Sequence, residues 1–297
     1  MKKLITPIVT LVIAMSSLHI SAQPVHEFSG YVGGGLSALR YQLSSGDRSG
    51  GFGGEFGAGY TYLNFRNQAV ETGTTVLQQW WGIHAGIGLG FYNAKAKLNN
   101  VEAVTANLID DEGDRFDLYS TLSGYNETQR TMFLNIPVMG QYNIDQFYVM
   151  GGIKTSIPLN GKYKSKGTLT NEGYYHEWEV LTKVPEFRGF GNFNRSYSGD
   201  IDLGVSVALA LEAGMHWSLS DNLVLYGGAY FDYGLNNVAK GNKSKFINPD
   251  VFTTGNAENF TANSVLSSYA EGVKSTPFTD KVNTMAVGIK VRVAFRK

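Results

Sequence analysis

Seven charged residues stand singly among small side chains in this sequence: Glu55, Lys154, Asp202, Glu212, Asp232, Lys290 and Arg292. Mixed signs in such surroundings suit one of two tasks: a salt-bridged network, or a path for an ion or proton. Either requires the charges to face one another, because an unpaired charge in a narrow interior is costly. His84 and His216 suggest a shared metal, but no third ligand stands at a recognisable spacing. A histidine partnered by a carboxylate such as Glu212 is the simpler reading.

Three further constellations invite chemistry. In Tyr174-Tyr175-His176-Glu177-Trp178-Glu179, His176 with Glu172, Glu177 or Glu179 makes a general base, and Ser196 or Ser198 supplies a nucleophile. Nothing in the spacing demands it, and an aromatic, acidic loop equally suits a lipopolysaccharide surface or a partner. Asp110-Asp111-Glu112-Gly113-Asp114, with Asp117 beyond, lacks the alternating ligands and terminal Glu of a calcium hand; it reads as a solvated acidic loop. Gly33-Gly34-Gly35-Leu36-Ser37-Ala38 matches a dinucleotide fingerprint, whose mechanism needs a helix after the glycines. Alternation simply continues through Leu36 and Ala38, which reads as a glycine-rich strand. The expectation is therefore no catalytic residue, no cofactor and no metal, and not an enzyme.

The elements that must position these residues are strands. Lys2 and Lys3 precede an apolar run, Leu4 to Ala14, and small residues lead to Ala22. That reads as a signal peptide over residues 1–22, too short to span a bilayer. Residues 23–297 form one domain, with no cysteine to make a disulfide. Net charge is +0 with a pI near 7.0, so nothing points to nucleic acid. No later stretch holds the roughly 20 apolar residues of a membrane helix. With Gly at 36 and Tyr and Phe at 17 each against 7 Pro, composition favours strands.

Period-two alternation dominates. It is cleanest over Trp81–Tyr92, Ile201–Trp217 and Val287–Phe295, and it recurs over Phe28–Tyr41, Phe52–Leu63, Met132–Tyr142, Phe147–Leu159 and Leu223–Leu235. Each is long enough for a tilted membrane strand. Asn143–Gln146, Ser218–Asn222 and Ala69–Thr75 read as turns on one side. Ser44–Gly50 and the long polar loops Asn99–Arg130, Tyr163–Gly199 and Asn237–Lys281 fall on the other, the last with room for extra hairpins. Short turns opposite long loops mark an outer-membrane barrel. A soluble lipid carrier would also alternate, but with a solvated charged outer face. Here one face is aliphatic, ending in Trp81, Trp217, Tyr142, Phe147 and Phe295, and the other is small with sparse charges, which suits lipid outside and a filled lumen inside.

Phe133-Leu134-Asn135-Ile136-Pro137 leading to Tyr142, and the ending Val287-Gly288-Ile289-Lys290-Val291-Arg292-Val293-Ala294-Phe295, resemble the small outer-membrane β-barrel family, which includes the OmpA-type transmembrane domain, OmpX-type barrels and PorT-like proteins. The chain departs from that family's aromatic C-terminus, since Arg296 and Lys297 follow Phe295. The fold expected is all-β: an antiparallel up-and-down transmembrane barrel of eight strands with long extracellular loops. The role expected is structural or surface-interaction, with a small-solute porin or a rim enzyme as alternatives. Expected partners are outer-membrane lipid and lipopolysaccharide, the barrel-assembly machinery during insertion, and a surface partner on the loops, the chain remaining a monomer.

Overall fold

A strand that alternates apolar and small residues buries nothing by itself, so its neighbours decide the architecture. The structure, a computed structural model, describes residues 24–67, 78–110, 112–184, 189–241, 244–249, 260–270 and 276–297. The signal peptide over 1–22 and the turn Ala69–Thr75 lie outside the described residues. Eight long strands carry the fold: β1 (Pro24–Arg40), β2 (Asp47–Asn67), β3 (Gln78–Lys97), β5 (Arg115–Ile144), β6 (Phe147–Tyr175), β9 (Ser206–Ser220), β10 (Leu223–Gly234) and β16 (Asn283–Arg296). They pair antiparallel in that order, and β16 pairs back onto β1, a ring of eight. Each of the eight alternating segments predicted from the sequence lies mainly in one of these strands.

The faces follow the alternation. Val32, Leu36, Phe56, Ile87, Val149, Ile153, Leu211, Ile289 and Val293 are exposed on the outside of the ring. Glu55, His84, Lys154, Glu212, Asp232 and Arg292 are buried inside it. On β6 the outward apolar run from Phe147 to Leu159 rises roughly 30 Å when tilted as barrel strands are. Trp217, Tyr142, Phe147 and Phe295 stand exposed at one end of this band, beside Trp81 in register with Tyr142.

Three expectations need correction. The segments Asn99–Arg130 and Tyr163–Gly199 are largely strand rather than polar loop. β5 and β6 continue beyond the apolar band as a paired sheet, widened by β4 (Val101–Ile109), β7 (Val180–Thr182) and β8 (Gly191–Asp200). The inward parity persists through Tyr125, Glu127, Gln129, Thr131 and Phe133, all buried, while the outward partners turn polar, which hides the strand from a hydropathy reading. Secondly, Asn237–Lys281 is not loop throughout: within the room left there for extra hairpins, its described residues hold five short strands outside the ring. They are β11 (Ser244–Lys245), β12 (Ile247–Pro249), β13 (Phe260–Ala262), β14 (Ser268–Ala270) and β15 (Thr276–Pro277). This segment folds back into the mouth of the ring, where Phe246 packs on Tyr125 at 5.1 Å and Tyr163 donates to the Ala262 carbonyl at 3.1 Å. Thirdly, the strand read from Ile201 begins at Ser206. Ile201 and Leu203 are buried, Leu203 bridging to Ala239, so the residue between them is turned outward.

Inside so narrow a ring, backbone meets backbone. Gly35 and Gly288 face each other in the seam between β1 and β16, and a Cβ on Gly35 would fall 2.2 Å from the Val287 carbonyl oxygen. Gly30 on the same strand has its nearest neighbour at 4.0 Å. We expect Gly35→Ala to cost about 1–3 kcal/mol by overpacking, and Gly30→Ala to be near neutral, as read by urea titration of the refolded protein.

Candidate functional site

Five strands of the ring send charged side chains to one level of its interior. Lys154 of β6 donates to Glu55 Oε2 of β2 at 2.9 Å and to Asp232 Oδ2 of β10 at 2.6 Å. Lys290 of β16 lies 2.8 Å from Glu55 Oε1 and 2.9 Å from Glu212 Oε2 of β9. Neutral donors complete the carboxylates: Asn135 Nδ2 reaches Glu55 at 3.1 Å and Tyr148 OH reaches Glu212 at 2.8 Å. Lys290 also lies 4.9 Å from the centre of the Tyr230 ring. Arg292 sits 4.1 Å over the Tyr226 ring and donates to Gln141 Oε1 at 3.1 Å.

Three cations thus stand with three carboxylates, all interior. Charge is balanced locally, which is the condition for keeping ions out of water. The space left among Tyr31, Glu55, His84, Lys154, Glu212 and Arg292 is about 10 Å³, at or below what one water needs. The structure therefore brings together Glu55, Lys154, Glu212, Asp232 and Lys290, with Arg292 one layer along. Asp202 does not join them. It lies outside the ring, its side chain 72% exposed and 2.7 Å from Lys240, because the alternation there belongs to the buried pair Ile201 and Leu203.

The histidines also have other partners than predicted. His84 Nδ1 lies 2.9 Å from Thr61 Oγ1 and 3.3 Å from Arg292, not against Glu212. The His216 ring lies tilted against Tyr226, centroids 5.4 Å apart. Residues that sequence reasoning passed over close the ends of the lumen. At one end Arg296 Nε donates to buried Glu27 at 2.7 Å, with Tyr226 OH on the same carboxylate at 2.9 Å. The signal was available: Glu27 shares the inward parity of Ser29, Tyr31 and Gly33.

At the other end Glu127 fastens the returning segment. Its Oε1 accepts from Ser264 Oγ at 2.6 Å and Gln129 Nε2 at 2.7 Å, and its Oε2 from Tyr125 OH at 2.6 Å and the Val265 amide at 3.1 Å. Burial pushes the Glu127 carboxyl up from the usual carboxylate range, and these donors pull against that rise.

At the projecting sheet, His176 Nε2 lies 2.9 Å from Asp117 Oδ2, and Glu172 is paired with Lys183 at 3.1 Å. Ser196 and Ser198 stand on β8 in register with Lys166 and Lys164, roughly 30–40 Å along the strand direction from His176, which follows the end of β6, at strand rise. The imagined base and nucleophile are not assembled. Asp110, Glu112 and Asp114 do cluster within 4.8 Å; Asp110 Oδ1 accepts the Glu112 and Asp114 amides at 3.0 Å each, which builds the turn. Asp111 lies outside the described residues. Gly33 to Ala38 remain in β1, paired with β16 throughout and with β2 as far as Ser37, as the glycine-rich strand reading requires.

Two outcomes are expected. Lys154→Met leaves Glu55 and Asp232 short of a counter-charge and costs about 3–5 kcal/mol. Adding Glu55→Gln and Asp232→Asn recovers a large part of the loss, read by urea unfolding as a mutant cycle. For Glu127, a carboxyl whose pKa is higher in the docked state takes up a proton on docking. Docking is then firmest below the undocked pKa and weakens as pH rises through the raised one. Exchange of the Val265 amide, corrected for intrinsic rates, is expected to be slower in acid than at neutral pH, and Glu127→Gln is expected to abolish that difference.

The outer membrane protein β-barrel domain family model matches residues 34–240. Among solved structures, the chain is similar to Ail, the attachment invasion locus protein of Yersinia pestis, in complex with the heparin analogue sucrose octasulfate. The identity is 11% over 93% of this chain and 99% of that one, with a TM-score of 0.29. It is also similar to Neisserial surface protein A, NspA, at 10% identity over 91% and 98%, with a TM-score of 0.26. No curated protein matches. With well over half of its length matched, the chain belongs to the outer membrane protein β-barrel domain family.

Proposed function

We propose that this protein is a non-conducting, integral outer-membrane barrel that stabilises the membrane and presents its projecting sheet to a surface partner. The observation that carries the reading is the neutral ion-pair set across the lumen, with about 10 Å³ left between its members. Eight strands leave an interior that side chains can fill, and here they do so with ions rather than water. The segment fastened on Glu127 adds a second obstruction at the mouth.

The surface role is supported by what lies beyond the apolar band. Trp178, Val180, Leu181 and Val184 are exposed at the tip of the projecting sheet. Apolar side chains gathered at a tip, with an aromatic among them, suit a partner better than solvent. We read the chain as a monomer, exported by cleavage after Ala22 and inserted by the barrel-assembly machinery, and as lacking catalysis.

The test is single-channel conductance of the refolded full chain in a planar bilayer, with folding scored by a heat-dependent gel shift. A folded, silent barrel is the expected result. Stable, reproducible openings would overturn the filled-lumen reading and make the protein a small porin with Glu55, Lys154, Glu212, Asp232, Lys290 and Arg292 as its selectivity set.

A further inference from the structure

Directly beyond the apolar band, the outer face changes abruptly to cations. In register across β3, β5 and β6, the rows read Asn93–Arg130–Lys162, then Lys95–Thr128–Lys164, then Lys97–Asn126–Lys166. All six cations are exposed, and none makes an ion pair with a described residue. The acids opposite them in register, Asp47 across from Lys97 and Asp200 across from Lys162, stand outside ion-pair reach. Arg130 and Lys162 face each other directly, an arrangement that destabilises a sheet unless an anion lies between. At strand spacing and rise, the patch covers roughly 10 Å by 13 Å.

The next row toward the band reads Phe91–Met132–Asn160, with Phe52 of β2 lining the same groove and Leu159 beyond, 51% exposed. Register shifts fall at this level, between Gly50 and Gly54 in β2 and between Met132 and Phe133 in β5, and such bulges bend a sheet. The result is a groove of about 810 Å³ with an apolar floor at Phe52, Phe91 and Met132 and a basic wall at Lys95, Arg130 and Lys162.

We propose that this groove binds a phosphorylated glycolipid of the outer leaflet, its phosphates on the cations and its acyl chains along the apolar band. The proposal rests on the outer-membrane reading above. A soluble polyanion would satisfy the cations and leave Phe52, Phe91 and Met132 unused. An amphiphile with its charge at the chain boundary matches both halves of the groove at once. Arg and Lys recognise phosphate through charge-assisted hydrogen bonds, and neighbouring Asn93 and Asn160 add neutral donors for the sugar.

The test uses the refolded full chain in phosphatidylcholine vesicles doped with diphosphoryl lipid A or with dephosphorylated lipid A. Insertion is scored by the heat-dependent gel shift, and lipid A retained after detergent extraction by native mass spectrometry. Retention of the diphosphoryl form is expected to exceed the dephosphorylated form about tenfold, to fall with added salt, and to drop about tenfold in a variant combining Lys95→Gln, Arg130→Gln, Lys162→Gln and Lys164→Gln. Equal retention of the two lipids, or salt-independent retention by the unaltered chain, would overturn the proposal whether or not the variant folds. Capture of a heparin fragment without lipid A retention would reassign the patch to soluble polyanions and overturn it too. Absence of any heat-dependent folded species, in detergent micelles as well as in every vesicle, would overturn the outer-membrane reading itself, whereas insertion without selectivity would overturn only the lipid site.

Discussion

A strand with hydrocarbon on one side has no water there to satisfy its amides and carbonyls, so every polar backbone group must be met by an adjacent strand. An open sheet leaves two edges unmet; a ring leaves none. Everything else in this molecule is arranged around the pairing of β16 with β1 that completes the ring. It brings the end of the chain beside its described beginning, with the Lys297 amide donating to the His26 carbonyl at 2.9 Å. Eight strands then fix a narrow interior, and the interior dictates which residues are tolerated on the inward parity.

Narrowness has two consequences that the sequence displays side by side. Where the backbones crowd most, only hydrogen fits, hence glycines such as Gly35, Gly53, Gly214 and Gly288, each with backbone within 2.5 Å of a would-be Cβ. Where room opens, long polar side chains cross the lumen, and buried charges there are stable only when they are paired with one another. Lys154 illustrates the balance. It is 2% exposed yet meets carboxylates from two other strands, so a residue that would ordinarily seek the surface becomes a cross-brace. Tyrosines finish the packing, since a ring fills space while its hydroxyl serves a carboxylate, as Tyr148 does for Glu212 and Tyr226 for Glu27.

The sequence discloses the ring more fully than its extensions, for a physical reason. Alternation is loudest where one face touches lipid, because lipid demands aliphatic side chains at every second position. Trp81–Tyr92 and Val287–Phe295 are unmistakable on that ground. Past the lipid edge, β5 carries Asn126, Thr128 and Arg130 outward, and the contrast between faces disappears although the strand does not. Glu127 was therefore hidden inside what reads as a polar loop. Asp202 misleads in the opposite sense: parity places it with Glu212, but the continuous count assumes an unbroken strand, and the chain bends before Ser206. Long-range partners such as Glu127 with Ser264 leave no local trace.

The projecting sheet poses a problem that the fourth long connection solves. Inward-facing side chains on β5 and β6 continue beyond the membrane, through Phe116, Leu118, Leu122, Tyr125 and Leu169, all buried, where the ring no longer encloses them. Four of the eight ring strands, β1, β9, β10 and β16, end near the band, so the exposed inner face of this sheet must be covered from elsewhere. Phe246, Val265, Leu266 and Phe278 do so from the segment between β10 and β16, joining the same apolar cluster. The inner parity thus changes its chemistry along one strand: ions paired across a closed ring at the level of Lys154, aromatics packed under a folded-back segment beyond Phe133. The outer parity changes at nearly the same level, from Phe91 and Met132 to Lys95 and Arg130. Both transitions answer to one boundary, the edge of the hydrocarbon. Inside, it is where lateral enclosure by neighbouring strands gives way to enclosure by a loop. Outside, it is where the solvent ceases to be lipid, and the sequence marks it with the first row of cations.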